Sequence, residues 1–155
     1  MTLLKERRTV RAIIYDIVDG EYRFLILYKD GVKKKYWQQL QGGVKEDEDN
    51  LVTLIREIQE EIGVLEGQLS IHQDTWVEGE YTTERKGEII LAQYAACAVR
   101  FNSTLPLTLT EHSQHRWVSL EQVASTLTAY PEMIPICYNV LSKLWPLVLY
   151  QNPVQ

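Results

Sequence analysis

Apolar positions along the chain follow two periods, and the change between them marks the elements. Residues 9–17 (TVRAIIYDI) and 22–28 (YRFLILY) are short apolar runs rich in β-branched and aromatic side chains, which predicts two strands joined by a turn at Asp19-Gly20. A polar turn, residues 30–35, leads into the mixed segment 36–41 (YWQQLQ). From Asn50 to Ile62 the period changes: Leu51, Leu54, Ile55, Ile58 and Ile62 recur at three- and four-residue intervals, the signature of an amphipathic helix. Asp49 is placed to cap its start, and Gly63 to take the left-handed conformation that ends it. Residues 68–78 and 87–101 predict two further strands with a polar link at 82–86 (TTERK). The second is nearly continuous in apolar residues and is expected inside a sheet. Residues 115–120 (HRWVSL) read as a strand, followed by a short helix over 121–127. Met133, Ile136, Cys137, Val140, Leu141, Leu144 and Trp145 place a last amphipathic helix over 132–145, which Pro146 is expected to stop. Strands on both sides of one helix, with another helix near the end, predict an α+β fold. With no repeat, low-complexity tract or linker in the sequence, one domain over residues 1–155 is expected.

Composition narrows the function without naming it. Hydrophobic residues make up 45% and charged residues 24% of the chain, ordinary values for a packed domain. The net charge of −5 argues against a stable complex with nucleic acid, which needs a basic surface. A polyphosphate substrate stays open if metal ions bridge acid to phosphate. Cys97 and Cys137 are too few for a disulfide framework and lack zinc-like spacing, so both are expected as small buried side chains. No signal-like apolar region follows Met1 and no run reaches membrane-spanning length, so no membrane partner and a cytoplasmic location are expected.

The helix over 50–62 carries the candidate chemistry. At about 100° per residue, Glu57, Glu60 and Glu61 fall within a sector of roughly 100° beside the apolar stripe rather than opposite it. Like charges at this spacing cost a helix a few tenths of a kcal/mol per pair. Arg56 offsets part of that by reaching Glu60 one turn on or Glu48 in the preceding loop. A hard cation such as Mg²⁺ or Mn²⁺, which prefers oxygen ligands, would offset more. On these residues alone, a solvated acidic face explains the glutamates equally well.

The surrounding positions decide between the two. GGVKEDEDNLVTLIREIQEEIGV matches Gly-x5-Glu-x7-Arg-Glu-U-x-Glu-Glu-x-Gly-U, with U aliphatic, at every defined position: Gly42, Glu48, Arg56, Glu57, Ile58, Glu60, Glu61, Gly63 and Val64. This is the Nudix box, and the chain resembles the Nudix hydrolases, which cleave nucleoside diphosphates linked to another group with the help of divalent metal. Asp47, where a glycine is frequent, and the pair Thr53-Leu54, where small residues are frequent, are departures that remove no expected ligand. The resemblance implies an α/β/α sandwich around a mixed sheet. It also implies metal ligands at Glu57, Glu60 and Glu61, joined by a glycine carbonyl, Gly42 or Gly43. Arg56 would orient carboxylates, and Glu48 would pair with Arg56 or complete the metal site through water. The general base is a box glutamate or an acid from a later loop, for which Glu111 is the candidate; His112 and His115 beside it are expected to be packing or surface residues. Trp37 is a candidate to stack on a base, and Lys35, at the end of the lysine run, to meet a distal phosphate.

The stretches YWQQLQGGVKEDED and LTEHSQHRWVSLEQV are similar to those of Nudix enzymes acting on dATP-like or dihydroneopterin triphosphates. The expected reaction is therefore hydrolysis of a pyrophosphate bond in a nucleoside triphosphate-like or other diphosphate-linked small molecule. A dinucleoside polyphosphate or RNA 5′-end hydrolase is one alternative, and a noncatalytic nucleotide sensor is another. The last helix and the following Leu147, Val148, Leu149 and Tyr150 carry apolar surface enough to expect a homodimer contact.

Overall fold

In the first strand, β1 (Lys5–Val18), Val10, Ala12 and Ile14 point to one side and Arg11, Ile13 and Tyr15 to the other, and all six are buried. A strand buried on both faces needs a layer on each. The computed structural model of the chain describes residues 5–31, 35–127 and 133–151, with the backbone alone for 145–151. After β1 come β2 (Glu21–Asp30), β3 (Lys35–Gln38), β4 (Leu40–Gly43), α1 (Asn50–Ile62), β5 (Ser70–Arg85), β6 (Glu88–Arg100), β7 (Gln114–Val118), α2 (Leu120–Thr126) and α3 (Met133–Gln151). The strands form one sheet in the order β3-β2-β1-β6-β5, with β4 also on β1 and β7 also on β2. β1 and β6 run parallel and every other pairing is antiparallel, so the sheet is mixed.

Leu54, Ile58 and Ile62 of α1 close one face over Val10, Ala12, Ile14 and Leu40. Val123 of α2 and Ile136, Val140, Leu141 and Leu144 of α3 close the other over Ile13, Tyr15 and Ile26. This is the α/β/α sandwich that the resemblance implies, with β6 inside the sheet as its apolar run requires. Cys97 and Cys137 are both free and buried.

Two boundaries differ from the sequence reading. Residues 82–85 are strand, not a link: β5 pairs with β6 as far as Arg85↔Glu88. Lys86 (φ 52°) and Gly87 (φ 78°) make the whole turn, with the two positive φ angles that a tight two-residue hairpin needs. The segment is polar because it is the exposed tip of a long hairpin. Likewise α3 does not stop at Pro146 but runs to Gln151; a proline removes one backbone hydrogen bond, and the helix continues past that loss. The apolar stripe of α3 up to Leu144 packs on the sheet. Of α3, Tyr138 stays exposed, and the side chains of residues 145–151, on which the homodimer expectation also rests, lie outside the described residues. Lys33 and Lys34 of the lysine run and the start of the predicted helix, Glu132, also lie outside them. Among the described residues no helix is long and apolar enough to cross a membrane.

Candidate active site

The site is assembled on α1. The Asp49 carboxylate accepts from the Val52 amide at 2.8 Å and fixes the start of the helix, while Gly63 ends it at φ +75°. The last carbonyls of a helix have no partner within it. Here the 105–112 loop supplies them: the Thr108 amide donates to the Ile62 carbonyl at 2.9 Å, the Thr110 amide to Glu61 at 3.3 Å, and the Thr110 hydroxyl to Glu60 at 2.6 Å. That stitching brings Glu111 and His112 back beside the carboxylates of α1.

Arg56 organises the acidic edge. It donates to both Glu48 oxygens, at 2.6 and 2.7 Å, and to Glu57 at 2.8 Å, Glu60 at 3.0 Å and the Gly43 carbonyl at 3.0 Å. The hydrogen bonds from Arg56 hold the Glu48 carboxyl down at about 2. The Glu57 carboxyl lies directly over Gly42, where a Cβ would displace it. Glu57 and Glu61 are buried, whereas the Glu60 side chain is half-exposed. Burial raises the Glu57 carboxyl above its ordinary value against the pull of Arg56. Burial, then the charges of Glu111 and Glu57, push Glu61 up to about 7, with Lys29 acting the other way.

Glu61 Oε2 lies 3.2 Å from Nδ1 of His112, but the two are not aligned as a hydrogen bond, and both atoms are buried without a hydrogen-bond partner. On its other side His112 Nε2 meets the Gln38 amide nitrogen at 2.7 Å. An amide nitrogen only donates, so His112 Nε2 is the acceptor and its proton sits on Nδ1, facing Glu61. Burial lowers the His112 pKa and favours this neutral form.

On the opposite face of the sheet lies a cleft of about 190 Å³. Its floor includes Arg11 and Gln41, which are register partners on β1 and β4, and Tyr81 and Ala92, which are partners on β5 and β6. Gln38, Gln39 and Trp37 also line it. The cleft and the acidic edge meet at Gln38, which lines the one and holds His112 in the other.

The structure thus brings together Glu48, Arg56, Glu57, Glu60, Glu61, Gly42 and, through the stitched loop, Glu111. Trp37 lies on the cleft wall, tilted against Tyr28 at 5.0 Å between ring centroids, with the Arg116 guanidinium 4.8 Å above its ring. Lys35 is not brought to the site: it sits opposite Asp30 in the β2–β3 register, 3.7 Å from its carboxylate and away from the cleft lining. Sequence reasoning set His112 aside and did not single out Gln38, Arg11 or Lys29. A Glu-His pair in the 105–112 loop was the one signal for His112. Gln38 and Arg11 gain their meaning only from strand register.

Comparison with known proteins bears on the class. A family model described as the NUDIX domain matches residues 7–138. The chain is similar to an asymmetrical bis(5′-nucleosyl)-tetraphosphatase of Mus musculus, 30% identical over 124 residues that span 79% of this chain and 81% of the relative. Among solved structures, a C. elegans Ap4A hydrolase in a binary complex superposes with a TM-score of 0.75 at 26% identity, over 90% of this chain and 98% of that one. The E. coli dihydroneopterin triphosphate pyrophosphohydrolase shares the fold at 20% identity, with a TM-score of 0.59 over 85% of this chain and 95% of that one. Fold and box together define a pyrophosphohydrolase. The chain belongs to the Nudix family.

Proposed function

We propose that the chain is a divalent-metal-dependent hydrolase of dinucleoside polyphosphates, acting as one catalytic domain. One nucleoside sits in the Arg11–Tyr81 cleft and the phosphate chain crosses Gln38 to the acidic edge of α1. The observation that carries this reading is the shared Gln38, which joins a base-sized cleft to a carboxylate cluster without an intervening element. The similarity to the nucleosyl-tetraphosphatases supports this substrate class over the nucleoside triphosphates that the local stretches resemble.

The residues fit a metal ion in chemistry. Glu61 Oε2 is buried without a hydrogen bond in a pocket where Glu57 and Glu111 crowd it, so a cation would relieve an existing repulsion. Among the described residues, however, no group of three or more such ligands already converges, and Arg56 holds Glu57 and Glu60 in its place. Glu57, Glu61 and the Gly42 carbonyl would hold Mg²⁺ or Mn²⁺, with Glu60 serving a neighbouring ion. Bound there, such an ion neutralises phosphoryl oxygens and lowers the pKa of water. Arg56 holds Glu48, Glu57 and Glu60 in one arrangement, and His112, held by Gln38, stands 3.2 Å from Glu61. Glu111, which Arg56 does not engage, accepts the proton of the attacking water as the water oxygen bonds to phosphorus and the anhydride P–O bond breaks.

A panel of Ap4A, Gp4G, ATP, GTP and a triphosphate-capped RNA, each with Mg²⁺, tests the reading. The dinucleoside tetraphosphates should turn over with the highest kcat/KM. A triphosphate nucleotide or the RNA outperforming both would replace this substrate class.

A further inference from the structure

The cleft wall is unusually rich in donors. Arg11 is 4% exposed, and among the described residues no carboxylate pairs with it. Among the described residues, the cleft lining holds Arg7, Arg11 and Arg85 and no acidic residue. The Arg11 guanidinium donates to the Tyr81 hydroxyl at 3.1 Å and to the Met133 sulfur, a weak acceptor, and its Nε has no partner. Tyr94 and Tyr81 place their rings 5.1 and 5.8 Å from it, which offsets part of the cost of burying the charge but satisfies none of its N–H groups. A buried cation left this way is stable only with acceptors close by.

Gln39 adds to the asymmetry. It is buried, and its carbonyl accepts from the Cys137 thiol at 2.8 Å. Burial pushes that thiol up to about 12, so it remains a donor. The Gln39 carbonyl thus already carries one hydrogen bond, and its NH₂ offers donors to the cleft. The Tyr81 hydroxyl, having accepted from Arg11, also has its hydrogen to give. The Gln41 amide nitrogen is donated to Gln38 at 3.4 Å, leaving its carbonyl as the acceptor on this wall.

Purines differ on the edge such a wall would meet. Guanine offers two acceptors, O6 and N7; adenine offers N7 but puts a donor, the N6 amino group, at the other position. An arginine fork matches the first pattern and opposes the second. We propose that this cleft selects 6-oxopurine nucleotides over adenine nucleotides, with Arg11 reading the O6–N7 edge and Gln39 supporting it. The proposal rests on the placement of the nucleoside in this cleft argued above, and it names the base. The curated relatives are named for nucleosyl groups, and the C. elegans neighbour for the diadenosine tetraphosphate Ap4A, so the base preference proposed here is this chain's own.

The test is equilibrium binding of GMP, IMP and AMP to the full-length, metal-free protein by calorimetry, alongside turnover of Gp4G and Ap4A with Mg²⁺. GMP and IMP should bind alike, both more tightly than AMP by roughly 5- to 150-fold, the range of one good bidentate pair. In Arg11→Lys, which keeps the charge but loses the fork, the ratio should fall toward one. Equal affinity for the three, tighter AMP, no binding at all, or GMP alone preferred over IMP would each overturn the proposal, and none of these needs a variant to fold. If GMP and IMP win but neither tetraphosphate is cleaved, base selection stands and the hydrolase reading fails. If both tetraphosphates are cleaved equally with no binding preference, hydrolysis stands and base selection fails.

Discussion

Arg56 shares one guanidinium among Glu48, Glu57 and Glu60, and Glu61 is left out of that arrangement. The consequence is a pH dependence of unusual sign for a carboxylate. Burial and the neighbouring Glu111 and Glu57 charges raise Glu61 from an ordinary 4.5 to about 7 in the folded chain. A raised folded value means the native state holds the proton longer than the unfolded state does. The contribution of Glu61 to stability is thus full below about 4.5 and is lost as pH rises through about 7. Thermal unfolding without metal, followed over that window, should show Tm falling from this source. Glu61→Gln should flatten the slope, and Mg²⁺ should restore stability at the high end. Glu111→Gln gives a second check at this scale: as the base it should lose roughly 10²–10⁴ in kcat, and a loss under about tenfold would return it to an ordinary loop acid. The box glutamates and Arg56 were legible because their spacing along one helix determines their geometry. His112, Gln38 and Arg11 were not. His112 and Gln38 meet across 74 positions, and no local pattern announces such a meeting.

α1 was legible to the residue, Asn50 to Ile62 with both caps, because period, cap and terminating glycine agree there. The loop stitched to its end was not, since the Thr108 and Thr110 contacts depend on the tertiary fold. Gly63 is where the two meet: at φ +75° an alanine is strained, and its Cβ would press on Thr108 at 3.2 Å. Gly63→Ala should therefore cost about 1–2 kcal/mol in denaturant unfolding. It should also lower kcat, because shifting Thr108 moves the segment that carries Glu111 and His112. A stability loss with activity intact would show that the loop's position does not matter to the chemistry. Residues 82–85 were misread for a related reason: a hairpin tip exposed on both faces loses the alternation that identifies a strand.

The whole molecule divides its labour between the faces of one sheet. The face under α1 holds the carboxylates, the face under α2 and α3 forms the cleft, and the two communicate around the β3–β4 edge at Gln38. The order of elements was legible as α+β from the helical and strand periods, and the α/β/α layering from the resemblance that the Nudix box carries. The cleft was not, because its walls come from five strands, α3 and Leu127 after α2, whose register no single segment reveals. Since, among the described residues, Arg56 is the one cation ion-paired to the box glutamates, hydrolysis should require Mg²⁺ or Mn²⁺, and excess chelator should abolish it. Full turnover in chelator would remove the metal from the mechanism.

The most direct measurement of the central claim, that the acidic edge of α1 is the catalytic centre, is kcat for the best tetraphosphate with Mg²⁺ in Glu61→Gln, paired with metal-free Tm. Removing one charge from the ion site while relieving repulsion among crowded carboxylates should lower kcat by roughly 10²–10⁴ with Tm held or raised. Near-normal turnover in Glu61→Gln, and in Glu60→Gln beside it, would contradict the claim and place the active centre elsewhere.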